Sequence, residues 1–521
     1  MGHARTYTYI SIVKKYYEMS GIDTYAPFGL DACGLPAENY AKENNISPVD
    51  VVKRFSERMM KVFNRFNFGF DLNTKFNTST KEYQKIQQEY INKFIETGYA
   101  TKEKSIVNWD PVERCCLANE QVINGRGWRS GAIIEYKIQE AWYINIRQLS
   151  KDLILGLDEL NWPEDIKLLQ KGWIGQTVMK YRVINGHKVY HSKTIKAISD
   201  SNFLSIDFRN PKLFDYYSES ELELIIQDIN ANKYALDYRL LGIKAHITKN
   251  INYSIYEIEE FNSDAEYLEE EEVHCLRNWC IERNRNWGCP FIGEWNEKSN
   301  STMDTFVDSS HYHKTFLELM GKEDQQVDFY AGGIEHACMH LIYSRAFFHI
   351  LYKIGLSKYK EPYLKFLGLG MVLHEAYVDE NNNPVLPSEI TSSCKSIGVF
   401  KMSKSKRNIT MPEELLNEYS PAAIKMGLIA DSPIFRSCKF NKNTIKHYEK
   451  LIELSKKDIP STSTEGDIKV DEFFNSVEDK LISGKTNWIT SQISTLLHYY
   501  KKGQLSKNKF NELKNFINIF K

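Results

Sequence analysis

The sequence predicts an α/β protein whose parallel sheet is interrupted by an inserted segment and followed by a helical carboxyl tail; four observations predict it. Tyr7, Ile10, Ile12, Val13, Tyr16 and Tyr17 recur at helical spacing as far as Gly21, and residues 23–29 then read as a strand. Residues 327–331 read as a second strand, which Gly332 and Gly333 turn into a helix. Residues 180–273 change character, becoming rich in Ile, Asn, Lys and Tyr before the acidic run Glu269, Glu270, Glu271, Glu272. From about 413 onward the pattern is helical and lysine-rich.

Length and composition bound the possibilities. A chain of 521 residues suggests roughly three or four domains at the usual ~100–200 residues each. With 42% hydrophobic residues, 26% charged residues and a net charge of −1, it is a globular protein with no global attraction for polyanions, so nucleic acid must be met by local patches. No apolar run approaches the ~18 residues of a membrane span, and the first residues form neither a signal peptide nor an arginine-rich transit pattern. Nine cysteines at irregular spacing fit reduced thiols better than a disulfide framework.

The helix predicted at the start is preceded by Gly2 and His3, which set exposed backbone N–H groups and an imidazole where a phosphate can sit. The strand that follows delivers residues 30–38, LDACGLPAE, at its carboxyl end, where α/β sheets place ligands. Asp31 there is suited to a substrate ammonium; capping the next helix is the alternative. Ile86, Tyr90, Ile91 and Phe94 predict a scaffold helix over 83–97 stopped by Gly98. In residues 327–340 the helix would carry Glu335, His336 and His340, with the two histidines on one face. A metal pair is disfavoured, because Ala337 stands where a zincin holds glutamate, a strand precedes the site and no third ligand is present. Residues 401–405, KMSKS, place Lys401 and Lys404 on a small-residue loop suited to a polyphosphate; a solvated basic turn is the alternative for so short a match. Pro412 starts a further helix and residues 461–466 read as a linker.

Taken together, these blocks resemble the leucyl branch of the class I aminoacyl-tRNA synthetases. The Gly2-His3 turn and KMSKS resemble that class's paired ATP signatures, although the first histidine of the turn would lie before Met1. Residues 29–38 resemble the family's G-x-D-A-x-G-L-P-A-E segment, residues 283–288 its S-R-Q-R-x-W-G block, residues 303–310 its M-D-T-F-V-D-S-S block, and residues 332–340 its G-G-x-E-H-x-x-x-H block. Two departures stand out: His311 and His313 replace the usual aromatics, and Leu369 stands where the family has glutamine.

The resemblance implies a Rossmann-type catalytic domain in two halves, 1–180 and 274–412, an editing-type insertion over 181–273 that looks reduced, and a helical part over 413–521 that is a possible anticodon-stem-binding remnant. It implies ATP-dependent activation of leucine and transfer to tRNA(Leu), with Mg2+ accompanying ATP. In that scheme Gly2, His3, Lys401 and Lys404 are catalytic, and Gly332, Gly333, Glu335, His336, Met402, Ser403 and Lys404 bind ATP. Asp31, Ser309, Tyr312 and His340 hold leucine, with His311 and His313 as a wall of its pocket. The zinc-module-like stretch 105–135 has Asp110, Arg126, Gly127, Arg129 and Ser130 at the expected ligand positions, so no zinc is expected. The expected protein is cytoplasmic, or of an organellar matrix if residues precede Met1, and is a monomer or is paired with a separate tRNA-binding chain. An inactive synthetase remnant that acts at most as a binding protein is the rival reading.

Overall fold

The computed structural model describes residues 1–117, 121–123, 125–184, 187–190, 220, 223, 269–274, 276, 278–285, 287–296, 301–323, 325–403 and 406–521. The first helix, Gly2–Met19, is longer than the periodic stretch and ends as its sequence dictates: Gly21 takes φ +79, its N–H donates to the Glu18 carbonyl, and Ile22 N–H returns to Tyr17 O at 2.9 Å. The strand after it covers only Pro27–Leu30, because that is the part that finds a partner, the parallel strand Asp71–Asn77. Between them lies the helix Pro48–Phe66, with Ser47 accepting from Val49 N–H, proline in its first turn and Asn67 in the left-handed region at its end. Thr80 caps the helix Lys81–Glu96.

A second parallel pair joins Val327–Gly333 to Tyr363–Leu369, residue 332 lying opposite 368. The connection carries the helix His340–Lys353, buried along most of its length. A four-stranded antiparallel sheet, ordered Trp279–Cys280, Glu135–Ile144, Ala100–Asp110, Cys115–Leu117, stands beside these units. The strand Val372–Val378 pairs antiparallel with Lys395–Lys401, setting Leu373 opposite Lys401, and Cys438–Lys439 adds parallel to its start.

The acidic run forms a strand. Glu269–His274 pairs antiparallel with the first part of Gln176–Ile184, Gln176 opposite His274 and Tyr181 opposite Glu269. The segment between therefore leaves and rejoins the chain side by side. Most of 181–268 lies outside the described residues, and so does most of what the sequence leads one to expect of the insertion.

The carboxyl part does not stand apart. Helices Pro421–Ala430, Lys442–Ser455, Asp467–Ile482, Thr486–Lys501 and Lys507–Ile517 share one core with the first helix, including Tyr9, Ile12, Phe66, Ile424, Phe473, Ile493 and Phe516. Tyr9 donates to the Leu481 carbonyl at 2.8 Å. Among the described residues no helix is long and apolar enough to cross a membrane.

Candidate active site

Three segments distant in sequence converge on one cleft. The first helix offers Gly2 and His3 from its N-terminal turn, and His3 stacks on Tyr7. The strand Val327–Gly333 runs into a single 3-10 turn, Ile334–Cys338, carrying Glu335 and His336. Lys401 ends its strand and reaches across, Nζ 3.0 Å from Glu335 Oε1. A β-carbon at Gly333 would lie 2.5 Å from Glu335 Oε2, so glycine there lets the glutamate fold back over the strand end; at Gly332 the nearest atom would be 3.9 Å away.

The charges explain one another. Burial works against the ionised Glu335, but its own backbone N–H and Lys401 overcome this and hold the carboxyl below its ordinary range. His3 keeps exposed surface at the mouth of the cleft, yet the protein around it, the Met1 ammonium and Lys401 disfavour its protonation. Burial, Lys401 and His3 push the His336 pKa down as well, with Glu335 opposing. Near pH 7 these imidazoles are neutral hydrogen-bond partners, and the cation facing Glu335 is Lys401.

His336 and His340 do not share a helix face. Met339, at φ −127 and ψ −105, breaks the backbone between the 3-10 turn and the helix His340–Lys353, leaving the two rings 6.3 Å apart and nearly perpendicular. His340 points inward: Nδ1 lies 3.2 Å from Ser309 Oγ and Nε2 is 2.9 Å from the Tyr330 hydroxyl. Tyr330 is also hydrogen-bonded to Tyr312, whose ring stacks on His340 at 5.6 Å, and it lies flat on Tyr363 at 4.1 Å. Burial presses the His340 pKa to about 3, fixing a neutral ring. Ser309, Tyr312 and His340 are thus brought together, with Tyr330 as their bridge. Tyr330 escaped the sequence reading; its place one pleat before the paired glycines was the available signal.

Asp31 lies near enough to this aromatic wall for its charge to help raise the Tyr312 and Tyr330 phenol pKa values. It does not cap the following helix, whose N-cap is Gly34, and no hydrogen bond or ion pair ties it to the described residues. Its side chain is exposed to the cleft while protein surrounds it on the other sides, so burial first and the Asp304 carboxylate second raise its pKa to about 7. Its segment is anchored by Trp287, whose indole donates to Ala32 O at 2.7 Å. Asp304 is itself held by Arg283 at 2.8 Å with neither side chain exposed.

His311 and His313 do not wall the cleft, contrary to expectation. They flank Tyr312 on the helix Thr305–Leu319, whose turn places them in the interior: His311 meets Thr315 and Gln87, and His313 stacks on Phe348. Leu369 is likewise buried in the core shared with the carboxyl helices.

The loop that follows Lys401 is anchored at both ends. Met402 N–H reaches Val372 O at 3.3 Å, and Ser403 N–H donates to Asn408 Oδ1 at 2.9 Å. The buried Asn408 also donates to the carbonyls of His374, Phe400 and Lys401, tying the loop root to both strands. Lys404 lies outside the described residues.

A family model described as tRNA synthetases class I (M) matches residues 1–127. The curated leucine–tRNA ligases of Ehrlichia ruminantium (strain Welgevonden) and Rickettsia typhi are each 26% identical, aligning with 99% and 96% of this chain and 80% and 77% of their own. The chain is thus similar to class I aminoacyl-tRNA synthetases, by the family model over its first 127 residues and by the ligase alignments over most of its length. Among solved structures, the Agrobacterium radiobacter K84 LeuRS in complex with tRNA and LeuAMS overlays with a TM-score of 0.72 at 20% identity, covering all of this chain and 81% of that one. Mycobacterium tuberculosis methionyl-tRNA synthetase with methionyl-adenylate gives 0.60 at 11%, with 85% of its chain covered. The alignments to the Ehrlichia and Rickettsia ligases run over 668 and 651 residues against 521 here, so those relatives carry residues with no counterpart in this chain.

In the stretch 105–135, the candidate ligand positions make a hydrogen-bonded knot. Asp110 Oδ1 accepts from Val112 and Glu113 N–H at 2.9 Å, and Oδ2 accepts from Ser130. Gly127 presses so close that a β-carbon would lie 2.3 Å from Asp110 Oδ2. Among the described residues no three His, Cys, Asp or Glu side chains gather as a metal set. Elemental analysis of the purified protein is expected to find less than stoichiometric zinc, with one zinc per chain as the contrary result.

Proposed function

We propose that this chain is a leucine–tRNA ligase: leucine carboxylate attacks the α-phosphate of Mg·ATP, pyrophosphate leaves, and the leucyl group passes from the adenylate to a terminal ribose hydroxyl of tRNA(Leu), releasing AMP. The observation that carries this reading is an unpartnered carboxylate, Asp31, opening beside the Tyr312–Tyr330–His340 wall in the cleft gripped by His3, Glu335 and Lys401. Asp31 takes the leucine ammonium, and the neutral aromatic wall takes its apolar side chain.

Catalysis rests on positioning and charge rather than on acid–base steps, since the attacking carboxylate needs no deprotonation. Neutral His3 and the first-turn N–H groups meet the α-phosphate. Glu335 accepts from the ribose hydroxyls once they displace Lys401. An exposed ion pair is worth only about 0–1 kcal/mol, so ATP exchanges it at little cost and frees Lys401 for the departing phosphates. The proposed setting is cytoplasm or an organellar matrix, with the protein acting as a monomer or with a separate tRNA-binding chain. Leucine charging of tRNA(Leu) tests this reading; failure to charge it while ATP is bound supports the remnant alternative.

No clearance of mischarged tRNA is expected. A binding pocket separates near-isosteric side chains by only ~1–3 kcal/mol per methylene, and a hydrolytic second site needs placed polar groups on a rigid scaffold. Residues 181–273 offer neither a threonine-rich nor a glycine-rich segment in sequence. Isoleucyl- or norvalyl-tRNA should deacylate at its spontaneous rate in the presence of the protein; faster hydrolysis, abolished by deleting the insertion, is the contrary result.

A further inference from the structure

Arg5 is among the largest fully enclosed side chains of the described residues, at 2% exposure, and among those residues no carboxylate hydrogen-bonds to it. Its donors are consumed by the stretch 428–436, far away in sequence, and by the carbonyl of Gly370. Nε meets Leu428 O at 3.0 Å. Nη1 meets the carbonyls of Gly370, Ile434 and Arg436 at 3.0, 3.1 and 3.0 Å. Nη2 meets Pro433 O at 3.1 Å and Ser432 Oγ at 3.2 Å. Five N–H groups serving six acceptors leave no donor idle. Lysine, with three donors and no planar fork, cannot reproduce this set.

The place of the knot matters more than its size. Arg5 stands two residues after His3 on the same rigid helix, about 3 Å along its axis. On the other side, Gly370 N–H donates to Ile434 O at 3.0 Å, Met371 N–H to Ser437 Oγ at 3.1 Å, and Cys438 N–H to Met371 O at 3.0 Å. A β-carbon on Gly370 would fall 2.1 Å from the Arg436 carbonyl carbon, so the two backbones are in direct contact. From there Val372–Val378 begins, pairing Leu373 with Lys401 and receiving Met402 N–H on Val372 O.

Building on the ligase reading, we infer that Arg5 is a positioning residue: it pins the helix that bears His3 to the hairpin that bears Lys401, and so sets the gap across which ATP is gripped. Asp31, Tyr330 and His340 are not on that path. Loss of the pin therefore acts on ATP and on the adenylation step while sparing leucine. A residue that merely supports the fold would lower all of these with stability.

The experiment compares the full-length parent with Arg5→Ala, Arg5→Lys and Ser432→Ala in ATP affinity, leucine-dependent pyrophosphate exchange and thermal midpoint. Arg5→Ala is expected to lower the exchange kcat by roughly 30-fold, in the range of an ångström-scale misplacement, with leucine KM within about threefold of the parent. Its ATP Kd should rise by about tenfold. Millimolar guanidinium should restore much of the loss in Arg5→Ala and nothing in the parent, and Ser432→Ala should show the same split in miniature. A kcat near the parent's, a leucine KM that worsens in step with kcat, or no rescue by guanidinium overturns the inference. Should Arg5→Ala fail to fold, Arg5→Lys, which keeps the charge, decides by the same kcat-against-KM split. Should the parent show no leucine-dependent exchange, the ligase reading fails, while the ATP affinities of parent and Arg5→Ala still decide whether Arg5 sets the gap.

Discussion

Replacing Asp31 by asparagine is expected to raise the leucine KM of pyrophosphate exchange by about 100-fold with a much smaller change in ATP KM, since a hydrogen bond to a charged group is worth ~1.5–3 kcal/mol and each ~1.4 kcal/mol is tenfold. The amide keeps the shape and one acceptor and loses the charge that selects an ammonium. Leucine KM should also depend on pH in the parent. With a pKa of about 7, the Asp31 carboxyl of the free protein is mostly ionised at pH 8 and mostly protonated at pH 6. Leucine affinity should therefore fall as pH drops through 7, and Asp31→Asn should flatten this profile. The sign for folding is the reverse of that for binding. A carboxyl whose pKa lies above its unfolded value binds its proton more tightly when folded, so its ionisation destabilises the native state above pH 7. Asp31→Asn should then melt no lower than the parent at pH 8, with the difference shrinking as pH falls through 7. A parent-like leucine KM, or a lowered melting temperature with intact binding, contradicts the assignment.

Lys401→Ala is expected to lower the exchange kcat by about 100- to 1000-fold, the cost of removing one preorganised group from a developing charge. Leucine KM should stay within about twofold, because Lys401 faces Glu335 and not the Asp31 wall. The Lys401–Glu335 pair sharpens this expectation. In the free protein Lys401 occupies the acceptor proposed for the ribose, so its removal unmasks Glu335 and should leave ATP binding far less affected than turnover. A loss confined to ATP KM with kcat unchanged contradicts this role. Lys404 is expected to behave alike, as a second ammonium on the same loop.

What could be read from the sequence was whatever is contiguous in the chain. The run around Asp31, the paired glycines before Glu335 and the lysines of the phosphate loop each carry their chemistry within a few residues, and the α/β fold follows from the helical and strand periodicities around them. Relationships made by tertiary structure were not legible. Nothing local announces that Met339 breaks the backbone between His336 and His340. The side of the helix Thr305–Leu319 that faces the cleft depends on what packs behind it, so sequence alone puts His311 and His313 in the pocket, whereas Gln87, Thr315 and Phe348 hold them inside. The pairing of the acidic run at 269–272 with 178–181 has no local signature either. Arg5 lies more than 420 residues from most of its acceptors, all but one of which are backbone carbonyls that carry no residue signature.

The most direct measurement is ATP–pyrophosphate exchange by the purified full-length protein with Mg·ATP and each amino acid in turn. Exchange that depends on leucine, and exceeds that with isoleucine, valine or methionine, is the predicted result. No exchange above the amino-acid-free background, or exchange supported equally by another amino acid, would contradict the account of Asp31 and its aromatic wall as a leucine site.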